Sequence, residues 1–233
     1  MNIEPIAYFH SPMTSKFGVP RQSGVVQDLP GRIVFEPAYR NADAVRGLDA
    51  FDCLWLIWGF SANRGEAVGL TVRPPRLGGN ERVGVFASRS PYRPNGLGLS
   101  SIYINNVELS PTLGPVIHVL GADLMDGTPI YDIKPYIPYT DAHPDARAGF
   151  TDERQWTQLH VEVTAEVEAR LKEDGFARLK QQFEVCKQLL SQDPRPHYHD
   201  SPERVYNMEF GGYDISFKVR GGQLLVIEVR LQN

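Results

Sequence analysis

A chain of 233 residues with 42% apolar and 22% charged side chains is long enough for one large domain, or one domain with a small appendix, and too apolar to stay disordered. Its formal net charge of −4 excludes attraction to nucleic acid by overall charge, so such a partner would have to meet a local basic patch. No apolar stretch approaches the roughly 18 residues that span a bilayer, and the N-terminal MNIEPIAYFHSP lacks the basic-then-apolar layout of a leader; a cytoplasmic protein with no membrane partner is expected.

From Asn2 to about Pro138 the chain reads as short strands broken by Gly and Pro, the pattern of an all-β sandwich or barrel. The run LWLIWGF at 54–60 is continuously apolar and predicts a strand buried on both faces. Cys53 adjoins it, and with Cys186 far away in a helical pattern the two cysteines have neither disulfide nor zinc spacing, so both read as buried thiols. Further on, Ile102 and Ile104 share one parity, but Val107 and Leu109 share the other, which predicts a bulge near Asn105 and Asn106. PVIHVLGADL then continues as another strand.

The polar, aperiodic segment 140–155 reads as a linker, dividing a mainly β domain (1–145) from a small α+β domain (146–233). In the latter, Phe176, Leu179, Phe183, Cys186 and Leu190 recur at helical spacing, a stripe that must end before Pro194. Tyr213, Ile215, Phe217 and Val219 then alternate with polar residues, and Gly221 and Gly222 turn into Leu225, Ile227, Val229 and Leu231: a hairpin with a primed turn.

Two segments carry chemistry. Between Arg73 and Arg93 lie five arginines (73, 76, 82, 89 and 93) against one acid, Glu81. Guanidinium forks match phosphate oxygens, and Phe86 and Tyr92 among them offer stacking faces; pairing with the chain's own carboxylates is the structural alternative. Pro74 and Pro75 stiffen the approach, Gly78 and Gly79 allow a tight turn, and Pro94-Asn95-Gly96 allows a second. Neither a P-loop nor a strand–GxGxxG–helix fingerprint occurs, so neither a P-loop nor a Rossmann site is indicated. The second segment, 121–139, combines Asp123, Asp126, Asp132 and Lys134 with Tyr131, Tyr136 and Tyr139. Either Asp126-Gly127 is a hairpin turn before a Pro-interrupted edge strand, or the carboxylates face hydroxyls or a cation of a ligand. His197 and His199 lack a third partner at metal-binding spacing, so no metal is expected. No GxSxG nucleophile motif is present.

In order along the chain, KFGVPRQSG, NADAVRGLDAFDCLWLIWGF, TVRPPRLGGNERVGVFASRSPYRPNGLGLS and DLMDGTPIYDIKPY resemble the TsaA-like (YaeB/TrmO) family of tRNA methyltransferases over about residues 1–150, and QDPRP with the strands after it resembles the family's C-terminal part. The resemblance implies a single-sheet β-barrel-like domain, not a Rossmann fold, that uses S-adenosylmethionine to methylate N6 of threonylcarbamoyladenosine at position 37 of tRNA, in a homodimer. By the same resemblance the cofactor falls to Gln22, Ser23, Gly24, Ala62, Asn63, Arg89, Leu99, Asp123, Leu124, Met125 and Asp126. The short Ser61-Ala62-Asn63 departs from the bulkier polar residues of the family pattern, which leaves main-chain contacts there. The tRNA is assigned to Arg73, Arg76, Arg82, Tyr92, Arg93, Lys134 and Tyr136, and Asp126 is the carboxylate expected to hold or deprotonate the acceptor. Two competing classes are a non-catalytic RNA-binding barrel and an adenosyl-cofactor enzyme acting on a small metabolite.

Overall fold

A computed structural model describes residues 2–63, 69–74, 77, 81–153, 157–196 and 201–232. Arg76, Pro75, the Gly78-Gly79 turn, the end of the linker at 154–155, and His197 and His199 lie outside the described residues. The chain forms two compact units: Met1–His10, Gln22–Asp123 and Gly127–Trp156 make one, and Ser11–Arg21, Leu124–Asp126 and Thr157–Asn233 the other.

The first unit is built on β1 (Ala7–His10), β2 (Pro30–Phe35), β3 (Cys53–Gly59), β4 (Thr71–Val72), β5 (Val83–Gly84), β6 (Leu97–Ser110), β7 (Gly114–Leu120) and β8 (Thr128–Pro135). Six of them close into an antiparallel barrel in the order β1-β2-β7-β6-β3-β8, while β4 and β5 form a separate ribbon. Phe9, Ile33, Leu54, Leu56, Ile102, Val119 and Ile130 are buried within this unit. Short helices α1 (Pro138–Asp141) and α2 (Phe150–Glu153) follow, the first overlapping the start of the segment 140–155 read from sequence as linker and the second within it.

The long strand β6 serves two neighbours in succession. From Leu97 to Tyr103 it pairs with β3, and from Tyr103 to Ser110 with β7. The change is made through a register shift between Ile104 and Asn106, where the change of apolar parity predicts a bulge. Between Leu97 and Ile102 the β7-facing side of β6 therefore has no ladder partner from β7.

Two expectations are corrected. In β3, Leu54, Leu56 and Trp58 are buried while Cys53, Trp55 and Ile57 are half-buried, because a barrel strand has one interior face. The outer face is covered locally: Tyr136 packs its ring 5.5 Å from that of Trp55, whose indole N–H donates to Asp141 Oδ2 at 2.8 Å. That indole N–H and the backbone N–H of Ile137 hold the Asp141 carboxyl below the usual range, the Ile137 contact being the stronger cause. Nor is β8 an edge strand entered by a hairpin at Asp126-Gly127. It lies between β1 and β3, with Pro129 and Pro135 at its two ends and a register shift opposite Ile57 and Trp58.

The second unit contains β9 (His160–Val163), α3 (Ala165–Arg170), α4 (Ala177–Ser191), β10 (Tyr206–Phe210), β11 (Tyr213–Arg220) and β12 (Gln223–Leu231). Its sheet runs β10-β11-β12-β9, with β9 parallel to β12. All five predicted stripe residues of the helical segment are buried, joined by Leu189. The hairpin forms with Gly221 and Gly222 at φ 56° and 81°, as a type I′ turn requires. Its second strand departs from simple alternation: a register shift opposite Ser216 and Phe217 buries Leu224 and Val226 and leaves Leu225 exposed.

Packing fixes Gly98 on β6. A Cβ there would lie 2.3 Å from the Trp58 indole, which occupies that space. Gly98→Ala is expected to displace the indole and destabilise the protein by about 1–3 kcal/mol, the usual cost of overpacking, measured by denaturant unfolding.

Candidate active site

The site is built where β6 runs without β7. Beyond Leu120 the chain turns at Gly121 (φ 77°) and carries Asp123 back toward that stretch of β6. Ser100, 3% exposed on the interior face, donates its hydroxyl to Asp123 Oδ1 at 2.6 Å and accepts from Trp58 Nε1 at 3.0 Å. The loop VPRQSG docks on the same turn through a hydrogen bond from the Gly24 N–H to the Gly121 carbonyl at 2.8 Å. A Cβ on Gly121 would be 3.6 Å from Gly24 Cα, so the two backbones run close. This docking lets the Ser23 N–H reach the Asp123 carboxylate.

Burial pushes the Asp123 carboxyl above the usual range, opposed in part by Ser100, by its own N–H, by the Arg89 charge and by Ser23. Arg89 is also hydrogen-bonded to the Gln22 side chain. Gln22, Ser23, Gly24, Arg89 and Asp123, brought together here, span some hundred positions of sequence. Ala62 and Asn63 lie in a 3-10 turn directly after β3. That turn is tied to the start of β6 by the Phe60 N–H on the Gly96 carbonyl at 2.9 Å. Leu99 points outward from β6 and is 59% exposed.

Leu124, Met125 and Asp126 belong to the second unit. Leu124 is buried there, and Asp126 accepts the Ser11 N–H at 3.0 Å while its own N–H donates to the Met13 carbonyl at 2.8 Å. Asp126 thus ties the Ser11–Met13 segment, a structural duty beside any chemical one.

The arginines differ in their surroundings. Arg73 and Arg82 are exposed, Arg82 resting on the Thr71 hydroxyl at 3.0 Å. Arg93 is half-buried and donates to the Ser88 carbonyl at 2.8 Å, knitting its own loop. Tyr92 is exposed beside it. Lys134 is exposed on β8, 3.9 Å from Asp132, and Tyr136 lies against Trp55. No group of His, Cys, Asp and Glu that could hold a metal occurs among the described residues. Among those residues no helix is long and apolar enough to cross a membrane.

Ser100 and Trp58 were not among the residues expected at the site. The signal for Ser100 is its parity, since it shares the interior face with Ile102, where a polar side chain needs a buried partner.

A closed antiparallel barrel whose parted strand edge presents a buried carboxylate between two loops places this chain outside the Rossmann-type methyltransferases and in a barrel class with a loop-built site. The N-terminal domain of tRNA-methyltransferase O matches residues 8–142, and the TrmO C-terminal domain matches residues 156–232. The chain belongs to the TrmO family. It is 39% identical to the tRNA (adenine(37)-N6)-methyltransferase of Escherichia coli K12, with 97% of each chain covered. A Pseudomonas aeruginosa relative named as an S-adenosylmethionine-dependent methyltransferase is 37% identical, over 92% of this chain and 90% of its own. The crystal structure of TrmO from Pseudomonas aeruginosa superimposes with a TM-score of 0.78 at 29% identity, covering 99% and 98% of the two chains.

The raised pKa of Asp123 has a thermodynamic consequence. Its folded value exceeds the unfolded one, so the folded state binds the proton more tightly, and Asp123's contribution to stability grows as pH falls through the folded pKa toward the ordinary carboxylate range. Above that window the ionised carboxylate is buried at a cost. Asp123→Asn is therefore expected to raise the apoprotein melting temperature relative to the parent more at pH 7 than at pH 4. Thermal melts of both proteins across that range give the difference directly.

Proposed function

We propose that this protein is an S-adenosylmethionine-dependent methyltransferase acting on N6 of adenine 37 of tRNA, with threonylcarbamoyladenosine as the nucleoside methylated. The observation that carries the reading is the Asp123 site: a buried carboxylate with Arg89, Gln22 and the Ser23-Gly24 backbone gathered about it. The cofactor is a zwitterion with an added sulfonium charge and a ribose diol, and the donor set suits it. An anionic oxygen pair meets hydroxyls or a cation, and a guanidinium meets a carboxylate. Exposed Leu99 offers an apolar surface, and Ala62 and Asn63 main-chain contacts. In this reading Leu124 and Met125 act through their own segment.

S-adenosylmethionine supplies an electrophilic methyl group. What this chain must contribute is in-line placement of the acceptor nitrogen and exclusion of water. That nitrogen is conjugated to the purine and to a carbamoyl group, which makes its N–H more acidic than that of an ordinary adenine amine. Asp126 is the carboxylate proposed to hold or deprotonate it, and arginines favour negative charge developing on the carbamoyl. Asp126→Asn is expected to lower single-turnover methylation at saturating cofactor by about 100-fold. An unchanged rate leaves Asp126 with a structural role alone.

Arg73, Arg82 and Arg76, with Tyr92, Lys134 and Tyr136, form the proposed tRNA surface, to which Arg93 contributes from its half-buried position. Arg73→Ala and Arg82→Ala are each expected to weaken tRNA binding and to lower the salt slope by roughly one ion, read from filter binding at several salt concentrations. We also assign a homodimer, supported by Leu99 and Tyr103 exposed along the outer side of β6 beside half-buried Ile57 and Trp55; sedimentation equilibrium tests it. A cytoplasmic location follows from a tRNA substrate. Mass spectrometry of nucleosides from tRNA incubated with protein and S-adenosylmethionine is the decisive experiment. A gain of one methyl on threonylcarbamoyladenosine is expected, and its absence returns the choice to a non-catalytic RNA-binding barrel or a metabolite enzyme.

A further inference from the structure

Two polar contacts, from Trp58 to Ser100 and from Ser100 to Asp123, form a line that starts on the barrel's interior face and ends at the site. Trp58 on β3 is 6% exposed, and its indole fills the space above Gly98. Phe60 closes one side with its ring centroid 4.4 Å away in an edge contact. So confined, the indole has one direction for its N–H, toward Ser100 on the same interior face, two residues beyond Gly98. The Ser100 hydroxyl has a single proton. Since one of its lone pairs is taken by Trp58, that proton is directed at Asp123 Oδ1 at 2.6 Å, a short, charge-assisted contact.

We infer that Trp58 and Ser100 are positioning residues for cofactor binding, a relay from the barrel interior that fixes the orientation of the Asp123 carboxylate and keeps it ionised for the cofactor. The inference rests on the reading of Asp123 as a cofactor contact. Its physical content is a balance. Burial drives the carboxyl toward its neutral form, and the Ser100 hydroxyl is the foremost of the groups that oppose it. A neutral carboxyl would offer a donor where the cofactor's hydroxyls and cationic groups need an acceptor. Trp58 acts one step further away: without its N–H, Ser100 is free to rotate and donates to Asp123 only part of the time. Polar groups in a hydrophobic barrel would otherwise be a burden, and a directed donor chain is one use for them.

The test is the affinity for S-adenosylmethionine measured by calorimetry from pH 5 to pH 8, for the parent protein and for Ser100→Ala, Ser100→Thr, Trp58→Phe and Asp123→Asn. Loss of a hydrogen bond to a charged group predicts about a tenfold weaker affinity for Ser100→Ala at neutral pH. Its more diagnostic effect is on the pH profile. Affinity falls as Asp123 takes up a proton, and removing the hydroxyl raises that pKa, so the fall begins at higher pH. Ser100→Thr keeps the hydroxyl and is expected to restore the parent midpoint, and Trp58→Phe to shift it in the same direction as Ser100→Ala by a smaller amount. A loss of packing alone would lower affinity at every pH without moving the midpoint. If Asp123→Asn abolishes binding but the midpoint stays put in both Ser100→Ala and Trp58→Phe, the relay is wrong and the cofactor reading stands. If Asp123→Asn binds as the parent does at every pH, the cofactor reading of Asp123 fails and the relay with it.

Discussion

The structure depends on β6 changing partners at Tyr103. A six-stranded barrel in which every strand kept both neighbours along its whole length would close completely and leave its interior inaccessible from the side. Here the bulge at Asn105 lets one 14-residue strand pair first with β3 and then with β7. The interval from Leu97 to Ile102 is consequently without a β7 partner, and the chain leaving β7 supplies a carboxylate there in place of a ladder. Gly98 and Trp58 fill the interior behind that interval, and Ser100 carries a hydrogen bond out of it.

The same economy governs the basic segment. Arginines that are close in sequence do not share one environment. Arg89 sits with Gln22 and in the field of Asp123, Arg93 is bound to carbonyls of its own loop, and Arg73 and Arg82 stand at the surface. A guanidinium has five donors in a rigid fork, so one that braces a loop with one nitrogen still has others to offer a ligand. The cluster is thus both scaffold and surface, which the choice between phosphate contact and internal pairing does not capture.

Much of the fold was legible because period and punctuation are local properties. The bulge at Asn105, the stripe from Phe176 to Leu190 and the glycine turn at 221–222 were read from spacing alone. The errors have one origin. Continuous apolarity in β3 cannot distinguish a strand covered on both faces from a barrel strand whose outer face meets a neighbouring aromatic such as Tyr136. A bulge in β12 shifts its burial parity with no Gly or Pro to announce it, and a proline-bearing β8 can sit inside a barrel when its prolines, Pro129 and Pro135, fall at the two ends of the strand. β9 escaped notice because four residues, His160–Val163, are too few for a period and find their partner in β12, some sixty positions on.

The sequence by itself determined the class of fold, the family through its ordered motifs, and the local basic patch on an acidic chain, because each depends on residue type and spacing. Only the tertiary structure decided the surroundings of each acidic residue. Asp123 and Asp126 look alike three positions apart, yet one is buried behind Ser100 and Ser23 while the other caps the Ser11 amide. The pKa of a carboxyl is set by burial and by the donors and charges around it, and those come from residues up to a hundred positions away, brought near only when the barrel closes.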